Sequence, residues 1–138
     1  MKRVIISGCI AAIAAGLIAA PASAATKHFE GSITDGGKVA FDAKFRNGKP
    51  KSATNFFFTK VPVHCSDGDT KFNFSYTGTV PVKDRKFSYV FQSFKASFNG
   101  TINRKGTKAN GKVSFGPNTS SGHTNCTTGG AKDWSAST

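Results

Sequence analysis

Two cysteines and the histidines near them are the side chains best suited to chemistry in this sequence. Cys65 and Cys126 remain as a pair if the third cysteine, Cys9, is removed with the N-terminal apolar run. An even number of cysteines in an exported chain favours a disulfide. A disulfide that closes the long loop between Cys65 and Cys126 stabilises a fold by about 4 kcal/mol on the chain-entropy model. We therefore expect a Cys65–Cys126 disulfide, with two unpaired thiols as the alternative.

His64 and His123 are the candidates for a metal ion near this bridge. His64 lies one residue before Cys65, and His123 lies three residues before Cys126. On an extended strand, residues an odd number of positions apart face opposite sides, so both imidazoles should point away from the sulfurs. A disulfide would then bring the two rings near each other on that opposite side. Imidazole binds metals and titrates near neutral pH. A weak metal or pH-sensitive site is one hypothesis. Two surface histidines without a ligand are the favoured interpretation, because zinc requires further ligands.

Catalytic chemistry has little support in the composition. After the apolar run the chain has a single glutamate, Glu30, and no G-x-S-x-G nucleophile motif is present. No spacing selects two carboxylates for acid–base work. We expect neither enzymatic activity nor a cofactor, and a small hydrolase is kept as the third functional hypothesis.

Positive charge is the strongest functional signal. The chain has 19 lysines and arginines against 7 acidic residues, a formal net charge of +12. Two basic groups flank predicted turns. We expect them to form the binding surface: Lys44, Arg46, Lys49, Lys51, Arg104, Lys105, Lys108 and Lys112. Such a charge favours encounters with anionic partners, although it can also serve solubility alone.

Outside the cell, the anionic partners include acidic polysaccharides and cell-wall polymers. Binding to anionic or carbohydrate surfaces, without catalysis, is therefore the first functional hypothesis. A protein-interaction or inhibitor domain is the second. Specific nucleic-acid recognition is not expected, because the sequence contains no recognised nucleic-acid-binding module. The sequence does not determine the oligomeric state.

The N-terminus predicts export. Two basic residues precede an apolar run over residues 4–20, and residues 22–24 then form a small-x-small motif. This is the order of a signal peptide and its cleavage site. We place cleavage after Ala24, with Ala25 as the alternative, which leaves one domain over residues 25–138. We then expect the protein to be secreted or to lie on the exterior of the cell envelope, without a stable membrane span after cleavage. An uncleaved anchor is the alternative, because the run is near the minimum spanning length.

Composition and periodicity predict an all-β domain. Leucine occurs only at Leu17, within the leader, whereas the remainder contains 13 phenylalanines and many glycines. This composition disfavours helices and favours strands. Turn dipeptides such as Asn47-Gly48 and Asn110-Gly111 separate stretches in which apolar residues alternate with a period of two. We predict an antiparallel β-sandwich of about eight short strands, with a barrel as the alternative, and no long helix.

Two stretches depart from simple alternation. Apolar residues are consecutive over residues 56–58 and then continue in the opposite phase to Cys65. A bulge at Thr59-Lys60 would explain the change of phase, and Pro62 indicates an edge or the start of a strand. Asn99-Gly100 resembles a turn, but alternation continues to Ile102. We therefore place Asn99-Gly100 inside a strand.

The second half of the domain contains three short motifs: Phe98-Asn99-Gly100, Ala109-Asn110-Gly111 and a C-x-T-G…W-x-A ending from Cys126 to Ala136. In these motifs the chain resembles a group of uncharacterised small secreted proteins of actinobacterial type. The resemblance implies a secreted all-β domain with one disulfide. It implies no activity.

Overall fold

The computed structural model describes Gly16, residues 23–120 and residues 122–138. The predicted leader lies almost wholly outside these residues, so export stays a prediction. The described residues contain strands and turns but no helix, and accordingly none of them forms a helix able to cross a membrane. The prediction of an all-β domain is confirmed.

Eleven strands follow one another in the described chain. They are β1 (Ala24–Ile33), β2 (Lys38–Arg46), β3 (Lys49–Cys65), β4 (Gly68–Tyr76), β5 (Val80–Pro81), β6 (Lys86–Phe91), β7 (Ala96–Ile102), β8 (Lys108–Phe115), β9 (Asn118–Ser120), β10 (His123–Cys126) and β11 (Lys132–Ser137).

Eight of these strands form one antiparallel sheet in the order β4-β3-β2-β1-β11-β8-β7-β6, and the short β5 pairs with β3. The sheet curls into a half-barrel, and β9 and β10 form a separate ribbon. The predicted antiparallel architecture of about eight strands is thus confirmed. The core lies inside one curled sheet, which is closer to the barrel alternative than to two stacked sheets.

Phenylalanine rings fill the concave side of the sheet. Phe29, Phe41 and Phe56 stack in succession on neighbouring strands, with ring centroids 4.8 and 5.2 Å apart. Phe56 also meets Phe98 of β7 at 4.4 Å, across the barrel. All four side chains are buried. Because aromatic rings bury large areas and pair with favourable geometry, these contacts dominate the core.

Aromatic side chains also close the gap between the two edge strands, β4 and β6. Tyr76 of β4 stacks on Tyr89 of β6 at 3.9 Å, and Phe74 meets Phe91 edge-on at 6.1 Å. Interaction with the Tyr89 side chain raises the pKa of Tyr76, because it favours the neutral phenol. In the described chain, β4 pairs only with β3, and β6 pairs only with β7.

The irregularities predicted in β3 and β7 are present. The register between β3 and β4 shifts between Phe58 and Val61, and Lys60 has a φ of 54°. At Pro62, β3 pairs with β4 alone, so this stretch is locally an edge. Asn99 and Gly100 lie inside β7.

The turn predicted at Asn110-Gly111 is wrong, because both residues lie inside β8. Gly111 faces Gly100 across the β7–β8 pair. A Cβ at Gly111 would overlap the carbonyl oxygen of Asn99. This glycine therefore permits close packing of two strands rather than a turn. Phe94 lies in the turn between β6 and β7.

Two adjacent phenylalanines in β3 provide a test of this packing. Phe56 is fully buried, whereas Phe57 points outward with 45% of its surface exposed. Phe56→Ala should lower the free energy of unfolding by about 3–5 kcal/mol, because it leaves a cavity. Phe57→Ala should lower it by less than about 1 kcal/mol. Denaturant unfolding measures both values, and equal losses would contradict the direction in which β3 faces.

Candidate functional site: a basic cleft at one end of the half-barrel

The antiparallel order of the strands sorts the turns into two ends. The turns at residues 47–48, 84–85 and 103–107 share one end, which we call the basic end. The turns at residues 34–37 and 66–67 lie at the other end. We call it the disulfide end, because Cys65 and Cys126 are bonded there, as predicted.

A surface cleft of about 740 Å³ lies between the three turns of the basic end. Five cationic side chains line this basic cleft: Lys49, Lys51, Lys83, Arg85 and Arg104. Asp84 is the only acidic residue in its lining. The remaining lining residues, which include Asn47 and Pro50, carry no charge.

Two tight hairpin turns hold the cleft walls in place. Asn47 and Gly48 both adopt positive φ, 51° and 72°, as a two-residue hairpin turn requires. This turn places Lys49 at the first position of β3. Asp84 and Arg85 also have positive φ, 49° and 64°. The residues that flank them, Lys83 and Lys86, exchange two backbone hydrogen bonds of 2.9 Å.

The third wall is the turn that carries Arg104. The side-chain oxygen of Asn103 accepts hydrogen bonds from the backbone N–H of Thr107 at 2.9 Å and of Lys108 at 3.1 Å. Asparagine commonly organises turns by bonding the backbone in this way. All three walls therefore have defined backbones, while their long cationic side chains reach into solvent.

The acidic residues of the protein are paired elsewhere. Six of the seven lie within salt-bridge distance of a histidine or lysine: Glu30 and Asp42 beside His28, Asp35 beside Lys132, Asp67 beside His123, Asp69 beside His64, and Asp133 beside Lys112. Asp84, the seventh, forms no salt bridge with any described residue. The cations of the basic cleft therefore keep their positive potential, which attracts anions.

The structure brings together only part of the predicted binding set. Lys49, Lys51 and Arg104 line the basic cleft, and Lys83 and Arg85 complete it although they were not in that set. Sequence reasoning could have found the latter two, because they lie with Lys86 in a short basic run. Whether any of these residues binds a ligand stays a prediction.

The other five predicted residues lie outside the cleft lining. Lys112 is paired with Asp133 at 2.7 Å. Lys108 lines a separate, mostly uncharged groove that includes Glu30. Lys44, Arg46 and Lys105 are exposed and do not line the cleft.

His64 and His123 lie at the disulfide end, and each contacts a carboxylate. His64 Nδ1 lies 2.7 Å from Asp69 Oδ1, and His123 Nδ1 lies 2.9 Å from Asp67 Oδ2. Among the described residues, no cluster of three possible metal ligands contains both histidines. The predicted approach of the two rings to form a joint site therefore has no support in the structure.

A third histidine, His28, lies between two carboxylates on the outer face of the sheet. Its Nδ1 is 2.7 Å from Asp42 Oδ1, and its Nε2 is 3.1 Å from Glu30 Oε1. These hydrogen bonds, that of Asp42 first, raise the pKa of His28. Hydrogen bonds from Asn55 and His28 lower the pKa of Asp42. Both ring nitrogens contact carboxylates rather than a hydroxyl or a thiol, so the ring is not placed to activate a nucleophile.

The His28 group predicts a pH window for stability. The pKa of His28 is higher in the folded protein than in the unfolded chain. Its contribution to stability is therefore complete below the unfolded-state pKa and is lost as pH rises through the folded-state pKa. The pKa of Asp42 is lower in the folded protein than in the unfolded chain. Its contribution to stability is therefore complete above the unfolded-state pKa and is lost as pH falls through the folded-state pKa. The difference in melting temperature between wild type and His28→Asn should therefore peak between about pH 4 and 6.5. A difference that grows above pH 8 would contradict this.

No family model, no curated protein and no solved structure matches this chain. The resemblance to small actinobacterial secreted proteins stays a prediction.

Proposed function

We propose that this protein binds anionic polymers outside the cell, through the basic cleft. The observation that carries the proposal is the composition of that cleft: five cations and one carboxylate, with no ion pair between described residues inside it. Anions that enter it meet several positive charges at once, because three turns converge there. Binding is electrostatic and requires no catalytic group.

A polymer suits this surface better than a small anion. Each exposed charge contact contributes only about 0.2–1 kcal/mol, so useful affinity requires several contacts together. Positive charge also continues beyond the cleft, since Lys83 and Lys86 line an adjoining groove. A chain with repeated sulfate, phosphate or carboxylate groups can occupy both surfaces, and linked contacts strengthen binding. Acidic polysaccharides and cell-wall polymers have this chemistry.

Two features support a location outside the cell. The predicted leader directs the chain to export. The Cys65–Cys126 disulfide is of a kind that persists in oxidising compartments. Polymeric anions are abundant there as components of walls and surroundings, whereas cytoplasmic nucleic acid is not accessible.

A charge-matched pair of variants tests the proposal. The cleft variant Lys49→Gln/Arg85→Gln/Arg104→Gln removes three positive charges from the cleft lining. The control variant Lys38→Gln/Lys60→Gln/Lys95→Gln removes three exposed charges near the opposite end. At about 0.2–1 kcal/mol for each contact, the cleft variant should bind immobilised dextran sulfate or polygalacturonate roughly threefold to hundredfold more weakly. The control variant should change little.

A salt series separates local recognition from net charge. Wild-type binding should weaken steeply with added salt, because screening shortens the reach of exposed charges. The cleft variant should show a shallower dependence. Equal weakening in both variants would mean that net charge alone drives retention, and retention that persists at high salt would refute an electrostatic role.

A further inference from the structure

The disulfide end carries a cluster of side chains that the proposed function does not use. Ligand atoms of Cys65, Asp67 and His123 all lie within 4.8 Å of one another. Cys126 lies outside this group of three but is bonded to Cys65 and supplies a second, buried sulfur beside it. We call these four residues the sulfur cluster. They come from three segments: the end of β3, the β3–β4 turn and β10.

We propose that reduction of the Cys65–Cys126 disulfide converts the sulfur cluster into a binding site for a thiophilic divalent metal such as Zn²⁺. In the oxidised protein both sulfurs are committed to the bridge, and only a thiolate is a strong metal ligand. A dithiol reductant supplies two electrons and two protons: the S–S bond breaks, two thiols form, and the reductant closes to its own disulfide. Metal binding then releases both thiol protons.

The four donors suit a tetrahedral zinc site. Zinc bonds sulfur at about 2.3 Å and imidazole nitrogen at about 2.0–2.1 Å, so its ligands lie about 3.3–3.8 Å apart. The separations among Cys65, Asp67 and His123, all within 4.8 Å, are close to this spacing. The buried Cys126 would complete the set once its sulfur separates from that of Cys65. The hydrogen bond between His123 and Asp67 would open to admit the ion. Two thiolates and an imidazole also favour zinc over magnesium or calcium.

Backbone bonds keep the cluster together without the disulfide. His64 of β3 and Thr127, which follows β10, exchange two backbone hydrogen bonds of 2.8 and 2.9 Å. The N–H of Ser66 donates to the carbonyl of Thr124 at 2.9 Å. These contacts flank both cysteines, so the two sulfurs remain neighbours after reduction. Cys65 is partly exposed, which gives a reductant access to the bridge.

Cobalt provides a direct test on the full folded chain. The protein is reduced with a dithiol, freed of reductant under nitrogen and titrated with Co²⁺. We expect one Co²⁺ for each chain, with the thiolate charge-transfer band and visible bands of tetrahedral cobalt, which Zn²⁺ then abolishes. The oxidised protein should show neither band. Absence of the tetrahedral spectrum in the reduced protein would overturn the proposal.

Three variants identify the ligands. His123→Asn and Asp67→Asn should each weaken zinc binding by about tenfold or more in a competition assay with a chromophoric chelator. His64→Asn is the matched control, because His64 lies beside the same bridge and outside the cluster; its affinity should not change. If neither cluster variant alters the affinity, the two thiols act alone, as in an unfolded chain, and the proposal is refuted. This test does not depend on the basic cleft.

Discussion

Burial of aromatic rings on one face of a single sheet is the interaction on which the structure depends. A sheet must cover its apolar face, and without a second layer it can do so only by curling onto itself. Phe41 lies at the centre and contacts Phe29, Phe56, Phe87 and Trp134, with centroids 4.8–5.9 Å away. Trp134 comes from the last strand, so closure of the core requires β11 to pair with β1 and join the two halves of the chain.

The core does not hold every segment equally. β9 and β10 lie outside the main sheet, and only a few contacts fasten them to it. The disulfide to β3 is one, and the backbone bonds between His64 and Thr127 are another. A covalent link is most useful where packing is least able to hold a ribbon in place. The bridge therefore secures this end of the half-barrel rather than its aromatic centre.

Local signals predicted most of the strands, because alternation, turn dipeptides and a phase change at Thr59-Lys60 depend on neighbouring residues. The curl was not predictable, since a sandwich and a half-barrel share the same alternation. The turn prediction at Asn110-Gly111 was wrong for a related reason. A glycine can form a turn or permit close contact between two strands, and here the outcome depends on a residue distant in sequence, Gly100. Likewise Lys112 is neutralised by Asp133 across a strand pair, which spacing along the chain does not reveal. The basic cleft was not predictable either, because it forms only where three turns lie at the same end of the half-barrel.

The two ends of the half-barrel differ in how their charged side chains are arranged. A surface that serves only solubility intersperses both signs. Here the carboxylates pair with histidines or lysines, many of them at the disulfide end, while the basic cleft gathers five cations around Asp84. Mutual repulsion of those cations destabilises the fold to some extent, and nothing in the core requires their convergence. An anionic ligand, as proposed for the basic cleft, would offset this repulsion.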